Sequence, residues 1–156
     1  MRGFTLVELL IVIGITMILA AAASPIYGSL QIKAQLNETT SQVIQTLRTA
    51  REYSVARYNN SAYGVFIDIT IGGNDNYILY QGDSYATRDT SYDRSIALES
   101  VMSFANIDMT QTGNDIDINF TKGSGQTDNI GSFQIVHDVV GSRDIIINKF
   151  GVIEEG

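Results

Sequence analysis

Near its N-terminus the chain contains an apolar run that limits the possible folds more than any other feature. The run extends over residues 4–23, and Glu8 is its one charged residue. An α-helix needs about 20 apolar residues to cross the hydrocarbon core of a bilayer. The sequence therefore predicts a helix whose first half, residues 4–24, spans a membrane.

Two simpler interpretations of this run account for only part of it. A secretory signal peptide requires a basic start, an apolar stretch and a small-residue cleavage site, for which residues 21–24 are suitable. However, a carboxylate such as Glu8 costs about 2.5–3.5 kcal/mol in the middle of a membrane helix, and a signal peptide gains nothing from it. A single-span anchor explains the length of the run but also leaves Glu8 without a role.

The helical pattern continues beyond the apolar run as far as about Arg57. Apolar or small residues recur there at steps of three and four, which is typical of an amphipathic helix. Pro25 lacks a backbone N–H and is expected to kink the helix. The sequence thus predicts one stalk helix over residues 4–58, whose second half packs on the rest of the chain through Ile32, Leu36, Thr40, Val43, Leu47, Ala50 and Ser54.

Residues 59–156 have the alternating pattern of β-strands rather than a helical period. They predict about six or seven short antiparallel strands, beginning with a hairpin formed by residues 62–71 and 77–81. Residues 83–94 are polar and are interpreted as an exposed loop. The fold class is therefore α+β, with the long helix packed against an antiparallel β head. The remaining strands are predicted within residues 96–109, 115–122, 132–137 and 144–150.

Composition excludes several classes of function. The chain has no cysteine, so it forms neither disulfides nor thiolate metal sites. Its net charge is −7, which disfavours nucleic-acid binding because that affinity comes mainly from neutralised phosphates. His137 lies in an alternating apolar run and is interpreted as a buried strand residue. No catalytic residue, cofactor or metal is expected.

The acidic residues of the β half give only weak metal signals. Residues 115–119 resemble the start of a calcium loop, but the glycine and the closing glutamate of that loop are missing. They are interpreted instead as the solvated face of a strand. Asp83, Asp89 and Asp93 share one polar segment without a ligand spacing. Tyr80, Tyr85 and Tyr92 are a possible adhesive surface.

The N-terminus resembles that of type IV pilins and of the pseudopilins of type II secretion. That family has a short basic leader that ends in glycine, then phenylalanine, then an apolar helix with glutamate four positions after the phenylalanine. Gly3, Phe4 and Glu8 stand in this register, and Pro25 falls where many members carry a helix-kinking proline. The resemblance rests on the string Gly3, Phe4, Thr5, Leu6, Val7, Glu8, Leu9 and Leu10.

The resemblance implies a path from a precursor to a filament. A prepilin peptidase would remove residues 1–3 by cutting between Gly3 and Phe4, and the Phe4 amine would be N-methylated. The subunit would stay in the cytoplasmic (inner) membrane as a single-pass protein until an assembly platform moved it into an extracellular or periplasmic filament. There it would contact copies of itself or other pilins, with Glu8 and Pro25 as assembly residues and Glu8 facing a neighbour's Phe4 amine.

The second half resembles the minor pseudopilin H and FimT-like pilins in residues 47–57, 118–123 and 145–153. Members that take up DNA carry basic residues after the last glycine, whereas Glu154 and Glu155 follow Gly151 here. Nucleic acid is therefore not expected as a partner. The leading hypothesis is a structural pilin or pseudopilin. A tip pilin that binds DNA or a surface is the alternative, and a single-span membrane enzyme ranks last because no nucleophile–base set is visible.

Overall fold

The computed structural model describes residues 3–156, apart from the side chains of residues 22–27. The described residues form one long α-helix, two 3-10 turns and eight β-strands. The chain divides into two compact units, Met1–Gln35 and Leu36–Gly156. The α+β class predicted from the sequence is confirmed.

The long helix, α1, extends over Leu6–Val55. It is slightly shorter at both ends than the predicted range of 4–58. Its end is set by the backbone of the following residues, because Arg57 has a φ of 53° and Asn59 a φ of 50°. This left-handed conformation is incompatible with a helix, and asparagine tolerates it better than most residues. The Ser54 hydroxyl then accepts the Tyr63 N–H at 2.8 Å, and the chain turns back into the first strand.

The predicted stripe of α1 is buried from residue 36 onward, within the second unit, whereas Ile32 before it is half-buried. Its apolar members Val43, Leu47 and Ala50 have no exposed surface. Thr40 and Ser54 are equally buried, and their hydroxyls donate to the carbonyls four residues earlier at 2.8 and 2.9 Å. These bonds satisfy two polar groups inside an apolar interface, where an unpaired hydroxyl would be costly.

The strands form two antiparallel sheets of four strands each. In the first sheet the spatial order is β3-β2-β1-β5, and in the second it is β4-β6-β7-β8. The buried core of the second unit combines the α1 stripe with side chains from both sheets. The strands are β1 (Tyr63–Asp68), β2 (Asn76–Gln81), β3 (Asp89–Ala97), β4 (Met102–Asp108), β5 (Ile116–Phe120), β6 (Gly131–His137), β7 (Gly141–Ile147) and β8 (Ile153–Glu155).

Three details of the predicted β half were wrong. Eight strands are present rather than six or seven, because the short β8 follows the turn at Gly151 and pairs with β7. Residues 83–94 are not one loop, since β3 begins at Asp89 and pairs with β2 along the edge of the first sheet. The first strand ends at Asp68, so Ile71 lies in the following turn and is 86% exposed.

Candidate processing and assembly site

The predicted cleavage position lies in an exposed, non-helical segment. Residues 3–5 precede α1 and have no regular secondary structure, and the Phe4 side chain is 80% exposed. A Cβ added to Gly3 would have no other atom within 4 Å. The fold of the chain therefore does not require glycine at position 3. Any requirement for glycine there would come from a processing enzyme.

Thr5 caps the helix that follows. Its hydroxyl accepts the Glu8 N–H at 3.3 Å, and its carbonyl accepts the Leu9 N–H at 3.2 Å. The spacing of Thr5 and Glu8 is that of a capping box, in which a threonine N-cap stands three residues before a glutamate. Sequence reasoning assigned no role to Thr5, although this spacing was visible in the sequence.

Glu8 lies in the first turn of α1 and is exposed. A carboxylate there interacts favourably with the partial positive charge of the helix N-terminus, typically by 0.3–1 kcal/mol. Glu8 therefore has a local stabilising role in addition to the intersubunit role that the sequence suggests. The two roles are separable because the cap depends on Thr5 and an intersubunit ion pair would not.

The first turns of α1 present apolar side chains on every face. Successive helical residues are rotated by about 100°, so the apolar run from Leu9 to Ile13 covers the full circumference. A helix that is apolar all round is normally buried in a protein core or a membrane. Phe4, which precedes the helix, and eleven large apolar residues of α1 are between 45% and 80% exposed. The eleven are Leu6, Val7, Leu9, Leu10, Ile11, Val12, Ile13, Ile15, Met17, Ile18 and Leu19.

The predicted membrane span over residues 4–24 is not confirmed by the structure. Over the part of the chain that is described, no helix is both long enough and apolar enough to cross a membrane. The predicted kink at Pro25 falls among residues 22–27, whose side chains lie outside the description, so that assignment stays a prediction.

The head contains a buried polar cluster that joins β2 to β5. The Tyr80 hydroxyl, which has no exposed surface, donates to the Asp117 carboxylate and accepts the Asn119 amide at 3.1 Å. The second Asp117 oxygen accepts the Tyr85 N–H at 3.0 Å. Burial of the phenol, together with its bond to Asp117, raises the pKa of Tyr80 above 10. The strand face predicted to be solvated is thus engaged in structural hydrogen bonds.

Tyr80, Tyr85 and Tyr92 do not form one adhesive surface. Tyr80 is fully buried, whereas Tyr92 is 49% exposed on β3. Tyr85 is partly buried between the Phe66 ring, 3.7 Å away and nearly parallel, and the Arg88 guanidinium, 3.6 Å from its centroid. This stack fixes the segment before β3 against the first sheet.

Two of the three acidic residues in the polar segment, Asp89 and Asp93, are engaged by contacts within the chain. Asp93 accepts the Arg88 Nε at 2.8 Å. Asp89 accepts both the hydroxyl and the backbone N–H of Ser91, and these bonds lower the pKa of its carboxyl. Within the described residues, no three histidine, aspartate or glutamate side chains are grouped so that they could hold a metal ion.

His137 is buried in β6, and its Nδ1 accepts the Val139 N–H.

An open groove of about 660 Å³ lies between α1 and the first sheet. Its helical wall carries the hydroxyls of Ser41, Thr46 and Thr49, each of which donates to the carbonyl four residues earlier. Its opposite wall consists of Tyr77 and Leu79 from β2 and two side chains from β3. The three hydroxyls donate to the helix backbone, and the Glu38 carboxylate of the same wall accepts the Gln42 amide at 3.3 Å, so the groove does not resemble a hydrolase site.

Comparison with known proteins identifies the N-terminal segment. A family model described as a prokaryotic N-terminal methylation motif matches residues 1–24. The chain carries a type IV pilin-like prepilin leader. This match supports the pilin and pseudopilin family and indicates a prepilin that a peptidase processes. It ends before the head begins. No curated protein and no solved structure matches the chain.

Proposed function

We propose that the protein is a structural subunit of a type IV pilus or a type II secretion-like filament. The observation that carries the proposal is the apolar surface of residues 4–19, which the chain itself leaves exposed. The precursor is cleaved between Gly3 and Phe4 and methylated on Phe4. It waits in the inner membrane through residues 4–24 and then enters the filament core through the same helix.

The energetics of burial favour this sequence of events. Burying a large apolar side chain contributes about 1.5–3 kcal/mol, so twelve such side chains contribute on the order of 20 kcal/mol. A bilayer supplies this stabilisation before assembly, and a bundle of neighbouring helices supplies it afterwards. The exchange of one apolar environment for another keeps the helix out of water at every stage.

Glu8 provides the specificity that apolar packing lacks. A carboxylate in an apolar bundle needs a partner, and the free Phe4 amine of a neighbouring subunit is a suitable one. Such a pair would favour one axial register between subunits. The exposed position of Glu8 in the first turn leaves its carboxylate accessible to a neighbour.

A test of this role compares Glu8→Leu with Thr5→Val in cells that contain the assembly machinery. Glu8→Leu removes the carboxylate, whereas Thr5→Val removes the cap hydroxyl and keeps the carboxylate. We expect sheared filaments to disappear for Glu8→Leu and to persist for Thr5→Val, with both precursors still processed. Filament yields that are equal to the parent in Glu8→Leu would exclude the ion pair. A loss that is equal in both variants would assign the effect to helix capping.

The finer assignment to minor subunits of the H and FimT-like type is also part of the proposal. Three segments carry this resemblance, and two of them, residues 118–123 and 145–153, contact the third, residues 47–57. The Gly123 N–H donates to the Ser54 carbonyl at 2.8 Å, and Arg51 donates to the Phe150 carbonyl at 3.3 Å. The resemblance therefore concerns one continuous region of the fold. A small share of total filament protein, measured by mass spectrometry, is the expected result for a minor subunit.

A further inference from the structure

The groove between α1 and the first sheet has two chemically different walls. It lies within the second unit, and its volume of about 660 Å³ is typical of a small-molecule site. One wall is formed by α1 between residues 38 and 49, a length of roughly 16 Å at 1.5 Å per residue. The other wall is formed by side chains of β2 and β3. What the groove can bind depends on the hydrogen-bonding groups that each wall presents.

The helical wall presents mainly hydrogen-bond acceptors. The hydroxyls of Ser41, Thr46 and Thr49 donate to backbone carbonyls of the helix at 2.8–2.9 Å, so only their lone pairs remain for a ligand. The Glu38 carboxylate accepts one amide N–H of Gln42 at 3.3 Å and has further acceptor capacity. A ligand must therefore donate hydrogen bonds to this wall.

The sheet wall presents a free donor beside apolar side chains. Arg94 of β3 is exposed and takes part in neither of the ion pairs found among the described residues. Its guanidinium has five N–H donors and no acceptor. Ile96 of β3 and Leu79 of β2 supply the apolar part of the same wall. A ligand must therefore accept hydrogen bonds from this wall and place C–H groups against it.

Tyr77 of β2 adds an unsatisfied hydroxyl to the sheet wall. The side chain is 1% exposed, and its hydroxyl has no hydrogen-bond partner in the described part of the chain. Thr46 lies beside it, but the Thr46 proton is used on the Gln42 carbonyl. Burial raises the pKa of Tyr77, so the phenol stays protonated at neutral pH and can donate. An unpaired buried hydroxyl is costly, and a bond to a ligand, direct or through one water, would offset that cost.

The groove is also close to neutral in a chain whose net charge is −7. Of the residues that line it, Glu38 is the one acid and Arg94 the one base. An anion such as phosphate offers only acceptors, which the helical wall cannot pair, and a cation would be repelled by Arg94. An extended peptide would turn some of its carbonyl groups toward the acceptors of the helical wall and leave them unpaired. A hydroxyl group fits both walls, because it donates and accepts at once.

We propose that this groove binds a neutral oligosaccharide. Ligand hydroxyls donate to the helical wall and accept from Arg94, from Tyr77 and from the exposed amide of Gln45, while ring C–H groups pack on Leu79 and Ile96. The length of the helical wall exceeds one sugar ring, which favours a short chain of sugars over a monosaccharide. This inference goes beyond the proposed function and does not depend on it, since the groove lies in the head.

Titrations with neutral tetrasaccharides test the site. Saturation-transfer NMR on the full chain in dodecylphosphocholine, a detergent without a sugar headgroup, measures the affinity for maltotetraose, cellotetraose and N-acetylchitotetraose. We expect saturable binding of at least one probe. Gln45→Ala and Arg94→Ala should each weaken it by about tenfold, whereas Gln31→Ala, at an exposed glutamine of α1 outside the groove, should leave it unchanged. Absence of saturable binding for all three probes, or equal affinity in the groove variants and the parent, would overturn the inference.

Tyr77→Phe separates ligand binding from packing. The substitution keeps the ring in the core and removes a hydroxyl that has no partner in the described part of the chain. We expect the free energy of unfolding in urea to stay at or above that of the parent, while the affinity for the tetrasaccharide falls about threefold or more. Lower stability with unchanged affinity would overturn the role of this hydroxyl in binding.

A competing occupant is tested with a labelled library of unstructured peptides. Peptide binding that is lost in Arg94→Ala and is not displaced by any tetrasaccharide would assign the groove to peptides and overturn the inference. These measurements use purified protein and do not require filaments. Their failure therefore leaves the proposed function intact, and a failure of filament assembly leaves this inference intact.

Discussion

Among individual residues, Tyr80 makes the most consequential polar contact in the head. Its buried hydroxyl joins β2 to β5 by donating to Asp117, and the same carboxylate fixes the backbone of Tyr85. Removing one member of such a cluster leaves the others without a partner in a partly buried site. The cost is then the desolvation of the remaining groups rather than the small net value of one hydrogen bond.

Tyr80→Phe should therefore destabilise the head by about 1–3 kcal/mol at pH 7. Burial holds the pKa of Tyr80 in the folded protein above 10, the ordinary value in the unfolded chain. The unfolded chain thus loses the phenol proton first, so this stabilisation is complete below pH 10 and falls as the pH rises beyond it. Urea unfolding of the detergent-solubilised chain at pH 7 and pH 10.5 should show a smaller loss in Tyr80→Phe than in the parent. An equal loss in both proteins would show that Tyr80 does not cause the alkaline sensitivity.

The N-terminal motif is recognisable in the sequence because its residues are adjacent. Gly3, Phe4 and Glu8 lie within one short string that resembles a pilin leader, and their roles in processing and assembly stay predictions. The pair of Tyr80 and Asp117 could not be predicted, since 37 residues separate the two partners and only the pairing of strands brings them together. The capping role of Thr5 is readable in the sequence, because Thr5 stands three residues before Glu8 at the start of an apolar run.

At the level of elements, the second half of α1 depends on its buried stripe. The stripe was predictable because a period of three and four residues constrains which side chains share a face. The edge strand β3 was not predictable from the hydrophobic pattern, because most of its residues are polar and are only slightly buried. An edge strand is specified by backbone pairing on one side, which leaves little trace in the hydrophobic pattern.

Leu47→Ala provides the test of the helix-to-sheet interface. Leu47 is fully buried, so the truncation should cost about 2–5 kcal/mol through lost burial and a residual cavity. The exposed Gln45 on the same helix supplies the control, and Gln45→Ala should change stability by less than about 0.5 kcal/mol. The free energy of unfolding in urea, followed by tyrosine fluorescence, measures both. Similar values for the two variants would mean that the stripe does not hold the head to α1.

At the level of the whole molecule, the chain combines a self-sufficient head with a helical segment that needs an external apolar environment. The head buries the α1 stripe together with apolar side chains of both sheets, whereas residues 4–19 expose twelve large apolar side chains. The leader and the exposed helix are consistent with one process, in which a membrane precursor becomes a filament subunit.

The identity of the first residue in the mature protein tests the central claim most directly. Mass spectrometry of the protein in sheared filaments or membranes should find an N-terminal peptide that begins with methylated Phe4 and lacks residues 1–3. In cells without prepilin peptidase, the peptide should retain Gly3. An intact N-terminus in the presence of the peptidase, or a new N-terminus after residues 21–24, would contradict the account and identify the segment as an anchor or a secretory signal peptide.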